Sequence, residues 1–289
     1  MTLGVTGATG RLGGRVARLL AAADVDQRLV VRTPARAPAL PRCAVVQAEY
    51  RDHDAVRRAL DGLDVVLMVS GSETEDRVEE HRTFVDAAVE AGVRHLVYIS
   101  FFGASSDATF LLARDHHLTE QHIEDSGLTW TFVRDNLYAD FVPLLADDDG
   151  VIRGPAGEGR VSAVAQDDIA AAVARVLLAP AAHEGLTYSL TGPEAFTLTE
   201  AAATMSRLLG RDFEFIDETL DEAYASRSTY GAPGWQVDAW VSTYTAIASG
   251  ELAPVTDDLE RLTGRPATSL ADLLGAEARG PDSPPRRGA

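Results

Sequence analysis

Three glycines, Gly7, Gly10 and Gly13, stand at regular spacing near the start of the chain, in the run Thr6-Gly7-Ala8-Thr9-Gly10-Arg11-Leu12-Gly13. This pattern suits a backbone that turns sharply after a strand, lets an anion approach its amides, and enters a helix packed closely on that strand. A pyrophosphate is the anion such a turn holds, through free amides and the positive end of the helix dipole. Gly7, Thr9, Gly10, Arg11, Leu12 and Gly13 are therefore the expected cradle for a dinucleotide.

The second chemical signal lies in Val30-Val31-Arg32-Thr33-Pro34-Ala35-Arg36. A site for NAD(H) places an Asp or Glu at the end of the second strand to accept from the ribose 2′-hydroxyl. Two arginines, Arg32 and Arg36, stand there instead, and they suit a 2′-phosphate. The pattern favours NADP(H) over NAD(H). Ser70, ending the fourth strand, is assigned to the same cofactor. Asp52 either touches the adenine end or caps the helix that begins near Asp54.

These residues need elements to hold them. Strands are expected at 2–5, 28–32, 43–48, 65–70, 96–100 and 129–134, with a late strand at 187–190. Helical spacing appears at Leu12, Val16, Leu19 and Leu20, over 54–60, at Val78, Val85, Ala88 and Val89, over 110–125, and at Ile169, Val173, Val176 and Leu177. Alternating strands and helices predict an α/β fold, a Rossmann-type doubly wound parallel sheet covered on both faces. Residues 1–192 form the expected dinucleotide-binding domain, with loops of a substrate cleft at about 136–160. Residues 193–275 are expected to form a smaller, mostly helical C-terminal lobe, with Tyr230, Trp235 and Trp240 packing inside it. The stretch 276–289, rich in Pro, Gly and Arg, reads as a disordered tail.

Composition narrows the function classes. The net charge of −18 opposes nucleic acid or an anionic membrane as a partner. No apolar run is long enough to span a bilayer, and the chain opens directly on a strand rather than on a signal peptide. A single cysteine, Cys43, precludes an internal disulfide and a cysteine-built zinc site. No metal site is expected: His116, His117 and Glu120 lack metal-ligand spacing. The expected location is the cytoplasm. Every basic residue among the 26 Lys and Arg is arginine, so no mechanism that needs a lysine is available.

The chain resembles the NmrA-like, atypical short-chain dehydrogenase/reductase family, close to its NAD(P)H:quinone oxidoreductases and triphenylmethane reductases. The resemblance is carried by the glycine run, Val31-Arg32-Thr33-Pro34-Ala35-Arg36, Ala48-Glu49-Tyr50-Arg51-Asp52, Tyr98-Ile99-Ser100 and Thr119-Glu120. It continues through Asp125-Ser126-Gly127-Leu128, Thr131-Phe132-Val133-Arg134-Asp135-Asn136 and Asp167-Asp168-Ile169-Ala170, covering residues 1 to about 275. It implies an NADP(H)-binding Rossmann domain with a small lobe closing over a substrate cleft. The family includes both reductases and cofactor-binding regulators.

Short-chain reductases of carbonyls use a Tyr-x-x-x-Lys pair and a preceding Ser. Aligned on Glu120, the pair becomes Leu112-Ala113-Arg114-Asp115-His116, with Ser100 at the matching strand end. Ser100 and His116 are thus the catalytic expectations; His116 could bond ribose or substrate, or donate a proton near its own pKa. Losing the pair suits an acceptor whose reduced form is a weakly basic anion or a neutral compound, such as a quinone or cationic dye. Phe101, Phe102, Asn136, Tyr138 and Phe141 are expected to line the pocket of this small aromatic acceptor. The leading expectation is an NADPH-dependent oxidoreductase. The alternative is a non-catalytic NADP(H) sensor that engages a protein partner, and a third reading is a reductase or isomerase of a specialised pathway.

Overall fold

The computed structural model describes residues 2–279. Seven strands build the main sheet: β1 (Leu3–Thr6), β2 (Gln27–Val31), β3 (Cys43–Gln47), β4 (Val65–Met68), β5 (His95–Phe101), β6 (Thr129–Asp135) and, later in the chain, β9 (Leu186–Leu190). Their order is β3-β2-β1-β4-β5-β6-β9, and every neighbouring pair is parallel. The connections from β1 run outward to both sides of the sheet. A crevice therefore opens beyond the carboxyl ends of β1 and β4, where doubly wound folds bind ligands.

Side-chain alternation along the strands supplies two cores. Leu3, Val5, Leu29, Val31, Val97, Ile99 and Val133 point to one face, where α1 (Arg11–Ala22) and α5 (Gln166–Leu178) cover them. Val30, Val66, Met68, Leu96, Tyr98 and Phe132 point to the other, under α2 (His53–Leu60), α3 (Arg77–Glu90) and α4 (Leu111–Asp125). The turns after α3 and α4 use Gly92 and Gly127 at φ +76° and +80°, where a side chain would be strained. The helical stripes shift from the expected ones: Leu19 and Val89 are each 41% exposed, while Ala17 and Ala87 are buried.

Two further cores, one large and one small, belong to the lobe. They gather β7 (Val151–Gly154), β8 (Arg160–Val161), β10 (Phe196–Thr197), α6 (Leu198–Leu209), β11 (Glu214–Asp217), α7 (Leu220–Arg227) and α8 (Gly234–Ala248). β7 pairs in parallel with β11, and β8 antiparallel with β10. The chain beyond residue 192 is mostly helical, as expected, and these four short strands add to it; each pairs across some 35 to 65 residues of chain, beyond the reach of local periodicity. The packing also crosses the expected boundary at residue 192. α9 (Asp258–Thr263) buries Leu259 in the core beneath the main sheet, whereas Ile152 and Val161 lie in the lobe.

α10 (Leu270–Arg279) extends into the segment expected to be a tail from residue 276, because Leu270 and Leu274 anchor it against α6. The rest of that expected tail, 280–289, lies outside the described residues. No helix among the described residues is long and apolar enough to cross a membrane.

Candidate functional site

The glycine turn leaves β1 at Thr6. Gly7 takes φ +63°, and a Cβ there would lie 2.9 Å from Val69. Gly10 donates its amide to the carbonyl of Gly7 at 2.8 Å and caps α1 with no side-chain bond. A Cβ on Gly13 would fall 2.5 Å from the Gly7 oxygen and 2.7 Å from that of Thr6, so only glycine lets α1 sit this close to the strand. The first turn of α1 holds no acidic residue. Leu12 is buried, so its amide is what it offers a ligand, while Arg11 is exposed and Thr9 half-buried. This uncapped, acid-free helix start is a cradle fitted to a pyrophosphate.

At the end of β2, Arg32 and Arg36 are both exposed. Arg32 makes one long contact, 3.4 Å to Ser72 Oγ, and among the described residues neither guanidinium is ion-paired with a carboxylate. Two free cations and no acid at this point fit a ribose 2′-phosphate. Asp52 is engaged elsewhere: its carboxylate accepts from the amide of Ala55 at 3.0 Å and caps α2, the second of the two roles expected of it. Ser70 lies beyond β4, which ends at Met68 rather than residue 70. The cause is Val69, whose amide donates to Thr6 Oγ1 at 2.9 Å instead of to a neighbouring strand.

The loop leaving β4 is held from three sides. Tyr50 donates to the Val69 carbonyl at 2.6 Å and lies 2.5 Å from the Thr6 hydroxyl, which ties this loop to the glycine turn. From α3, the amide of Gly71 donates to His81 Nε2 at 2.8 Å, and Arg77 Nε donates to the Gly71 carbonyl at 3.3 Å. The Arg77 guanidinium is almost wholly buried. Its Nη2 donates to His116 Nε2 at 3.0 Å, while its Nη1 has no hydrogen-bond partner among the described residues and reaches Asp115 only at 3.7 Å.

This network fixes the two residues expected to be catalytic. A guanidinium can only donate, so His116 Nε2 accepts and its proton sits on Nδ1, which donates to the Tyr98 hydroxyl at 2.9 Å. His116 is buried, and burial together with Arg77 pushes its pKa well below the ordinary histidine range. It is neutral, saturated with partners, and not a proton donor near its own pKa. Ser100 is fully buried and gives its proton to Glu120 at 2.6 Å, a carboxylate already held by two bonds from Arg134. Neither side chain presents a free polar atom to the crevice.

The expected pocket residues also separate. Asn136 is fully buried; its amide nitrogen donates to Ser162 Oγ and to the Leu252 carbonyl, and its oxygen accepts from the Leu137 amide. It stitches β6 to the lobe. Phe101 and Phe102 lie in the lobe core, Phe101 against Phe110 at 4.7 Å. Tyr138 and Phe141 sit together at the carboxyl edge, ring centroids 5.3 Å apart, with the guanidinium of Arg11 5.1 Å above Phe141. These two are the aromatics beside the start of α1.

Sequence reading missed Arg77, His81, Tyr98 and Asp135, which also occupy this edge. Arg77 and His81 carried a usable signal: they are four residues apart and continue the buried stripe of Phe84, Val85 and Ala88, so they are polar groups at core positions of α3. Among the described residues, no group of three or more His, Cys, Asp or Glu side chains could hold a metal ion.

Comparison with known proteins follows this geometry. Residues 7–180 match the family model described as NAD(P)H-binding. Quinone oxidoreductase 2 of Escherichia coli is 33% identical over 279 residues, covering 94% of this chain and 97% of the relative. A crystal structure of the Escherichia coli NADPH-dependent quinone oxidoreductase QOR2 complexed with NADPH superposes with a TM-score of 0.85, covering 95% of this chain and 98% of that one. The (4-alkanoyl-5-oxo-2,5-dihydrofuran-3-yl)methyl phosphate reductase of Streptomyces griseus is 37% identical, covering 96% of this chain and 99% of the relative. Citrobacter sp. triphenylmethane reductase complexed with NADP(H) is 29% identical with a TM-score of 0.84, covering 96% and 99%. With its glycine cradle inside the matched segment, the chain belongs to the NAD(P)H-binding family.

Proposed function

We propose that the protein is an NADPH-dependent oxidoreductase that reduces a flat aromatic acceptor, a quinone or a quinone-like dye. The observation that carries the reading is the pairing of an intact nucleotide cradle with the loss of the Tyr-Lys pair: Leu112 and a buried, neutral His116 stand in its place. Similarity to reductases whose names specify quinones and triphenylmethane dyes supports the acceptor class.

When bound, NADPH would supply a hydride, two electrons with one proton, to the acceptor. The chain's own contribution is placement. The amides of the α1 start would hold the pyrophosphate, Arg32 and Arg36 the 2′-phosphate, and the clamped loop Val69–Gly71 the wall between the two halves. Tyr138 and Phe141 offer aromatic surface for a planar acceptor near the nicotinamide end. Reducing a simple ketone leaves a strongly basic alkoxide, which demands a strong placed acid; a quinone or a cationic dye relaxes that demand, so correct positioning does more of the work. With a lone cysteine and no disulfide framework, the reading includes a reducing, cytoplasmic setting.

Titration of NADPH and NADH into the purified protein, followed by menadione with absorbance read at the nicotinamide band, tests the reading. Tight NADPH binding with saturable oxidation on adding the quinone is expected. Binding without turnover across quinones and dyes would overturn the reductase assignment in favour of a nucleotide sensor.

A further inference from the structure

Asp135 ends β6 with its carboxyl buried at 4% exposure. Among the described residues no cation lies within ion-pair distance of it. Its side-chain partner is the Tyr138 hydroxyl, 3.0 Å from Oδ2. A carboxylate taken out of water without a paired cation is strongly disfavoured, so the group keeps its proton. Burial accordingly holds Asp135 well above the ordinary carboxyl range, lowered only in part by the Tyr138 hydrogen bond, by a backbone hydrogen bond and by the charge of Arg77. The flanking strands bring Phe101 and Leu190 against Asp135, and neither titrates. Besides Asp135, the charged groups acting on Tyr138 are Arg77, which lowers its pKa, and Asp140 from the turn that follows, which raises it.

We propose that Tyr138 and Asp135 form a proton relay for the acceptor, with Tyr138 donating to the acceptor oxygen and Asp135 restoring the proton to Tyr138. The proposal rests on the reductase reading above. Tyr138 is half-buried at the carboxyl edge and packs on Phe141, whose ring lies under Arg11 at the start of α1, so it stands beside the glycine cradle just past the carboxyl end of β6. Reduction of a quinone needs one proton for each pair of electrons and hydrogen delivered by NADPH. The quinone becomes a hydroquinone monoanion; the Tyr138 O–H bond breaks as an O–H bond forms on the anionic oxygen. The Asp135 O–H bond breaks as Tyr138 is reprotonated, and Asp135 recovers its proton from water. The balance is NADPH + quinone + H⁺ → NADP⁺ + hydroquinone. Tyrosine alone is a weak acid, made weaker here by burial. Coupled to Asp135, the net donor is a carboxylic acid, strong enough to protonate a phenolate-type oxygen. Asp135 acts through Tyr138 and is a positioning and relay residue; Tyr138 is the catalytic group.

A cationic triphenylmethane dye provides the control, because its carbocation becomes the neutral leuco compound on gaining the hydrogen and electron pair and takes up no proton. The experiment measures kcat with menadione and with crystal violet for the wild type, Tyr138→Phe and Asp135→Asn. Infrared spectra of the same proteins without nucleotide, at neutral pH, report the carbonyl stretch of a protonated buried carboxylic acid. The expected result is a fall of at least about a hundredfold in the menadione-to-crystal-violet kcat ratio in both variants, the scale of a lost general acid, with a carboxylic-acid band that Asp135→Asn removes. Equal losses on both acceptors, an unchanged ratio, or no such band in the wild type would overturn the relay while leaving the reductase reading standing. A wild type that binds NADPH and turns over neither acceptor would overturn both. Because the ratio is taken within one variant, partial misfolding cancels, and the second variant tests the same relay from its other end.

Discussion

Arg77 donates to Nε2 of His116 across 3.0 Å in the interior between α3 and α4, and His81, one turn along α3 from Arg77, accepts from the amide of Gly71. A buried cation beside two histidines makes both imidazoles hard to protonate. His81 is pushed down to about 3 by burial and then by Arg77, and His116 is lowered by the same two causes.

The sign of the resulting pH dependence follows from linkage. Both histidines have folded-state pKa values below the unfolded value near 6.5, so the unfolded chain binds more protons as the pH falls. Their contribution to stability is complete above pH 6.5 and is lost as the pH drops below it, for His81 down to about 3. Each costs up to about 1.4 kcal/mol per pH unit inside that window. Urea midpoints measured from pH 7 to 5 should fall, and His81→Gln, which keeps an acceptor for Gly71 and a donor for Thr119, should flatten the decline. An equally steep decline in His81→Gln would show that the histidine is not the group titrating.

Gly13 governs the helix approach. An added methyl meets two backbone oxygens, which cannot move aside as a flexible side chain would. Gly13→Ala should lower stability by about 1–3 kcal/mol, the usual effect of overpacking, and weaken NADPH binding because α1 is displaced from the turn. A thermal melt and a nucleotide titration on the same sample check both, and a variant that binds as tightly as the wild type would refute the close-approach argument.

Arg32 and Arg36 should discriminate between the two nucleotides. A charge-assisted bond to phosphate contributes about 1.5–3 kcal/mol, or about tenfold to a hundredfold in affinity. Arg32→Ala is expected to weaken NADPH by that factor and to leave NADH nearly unchanged, since NADH carries no 2′-phosphate. Titration of both nucleotides measures the ratio; parallel losses would move Arg32 from phosphate recognition to a general structural role.

The legible parts of this site are those in which the backbone dictates the residue. Gly7 at φ +63° and Gly13 against the Gly7 carbonyl admit little else, so their spacing alone revealed the cradle. Arg32 is read as a 2′-phosphate ligand from its place at the end of β2 alone, the assignment that the titration of both nucleotides tests. Ser100, His116 and Asn136 were placed at the correct edge but with the wrong surroundings. Position in a strand or helix does not say which face a side chain takes: Ser100 shares the α4 side with Tyr98, while Ile99 points to the α1 side. The partners that saturate these residues, Glu120, Arg77 and Leu252, lie 20, 39 and 116 residues away. The lobe's four short strands were hidden for the same reason, since their partners are remote in sequence.

Restoring the missing tyrosine should gain nothing. Leu112 is half-buried against the lobe core, and in an ordinary pair a lysine four residues on would lower the tyrosine pKa. Position 116 cannot supply that charge, because His116 is held neutral with both ring nitrogens bonded. Leu112→Tyr is therefore expected not to raise kcat with menadione, and a clear increase would refute the view that the reaction proceeds without that acid. Adding His116→Lys would place a second buried cation against Arg77. The cost of an uncompensated buried charge is about 3–5 kcal/mol, so the double variant should melt far below the wild type rather than gain a dehydrogenase pair. The cation of this site already exists in Arg77, on α3 instead of α4, and its presence is the physical reason that a lysine at position 116 is disfavoured.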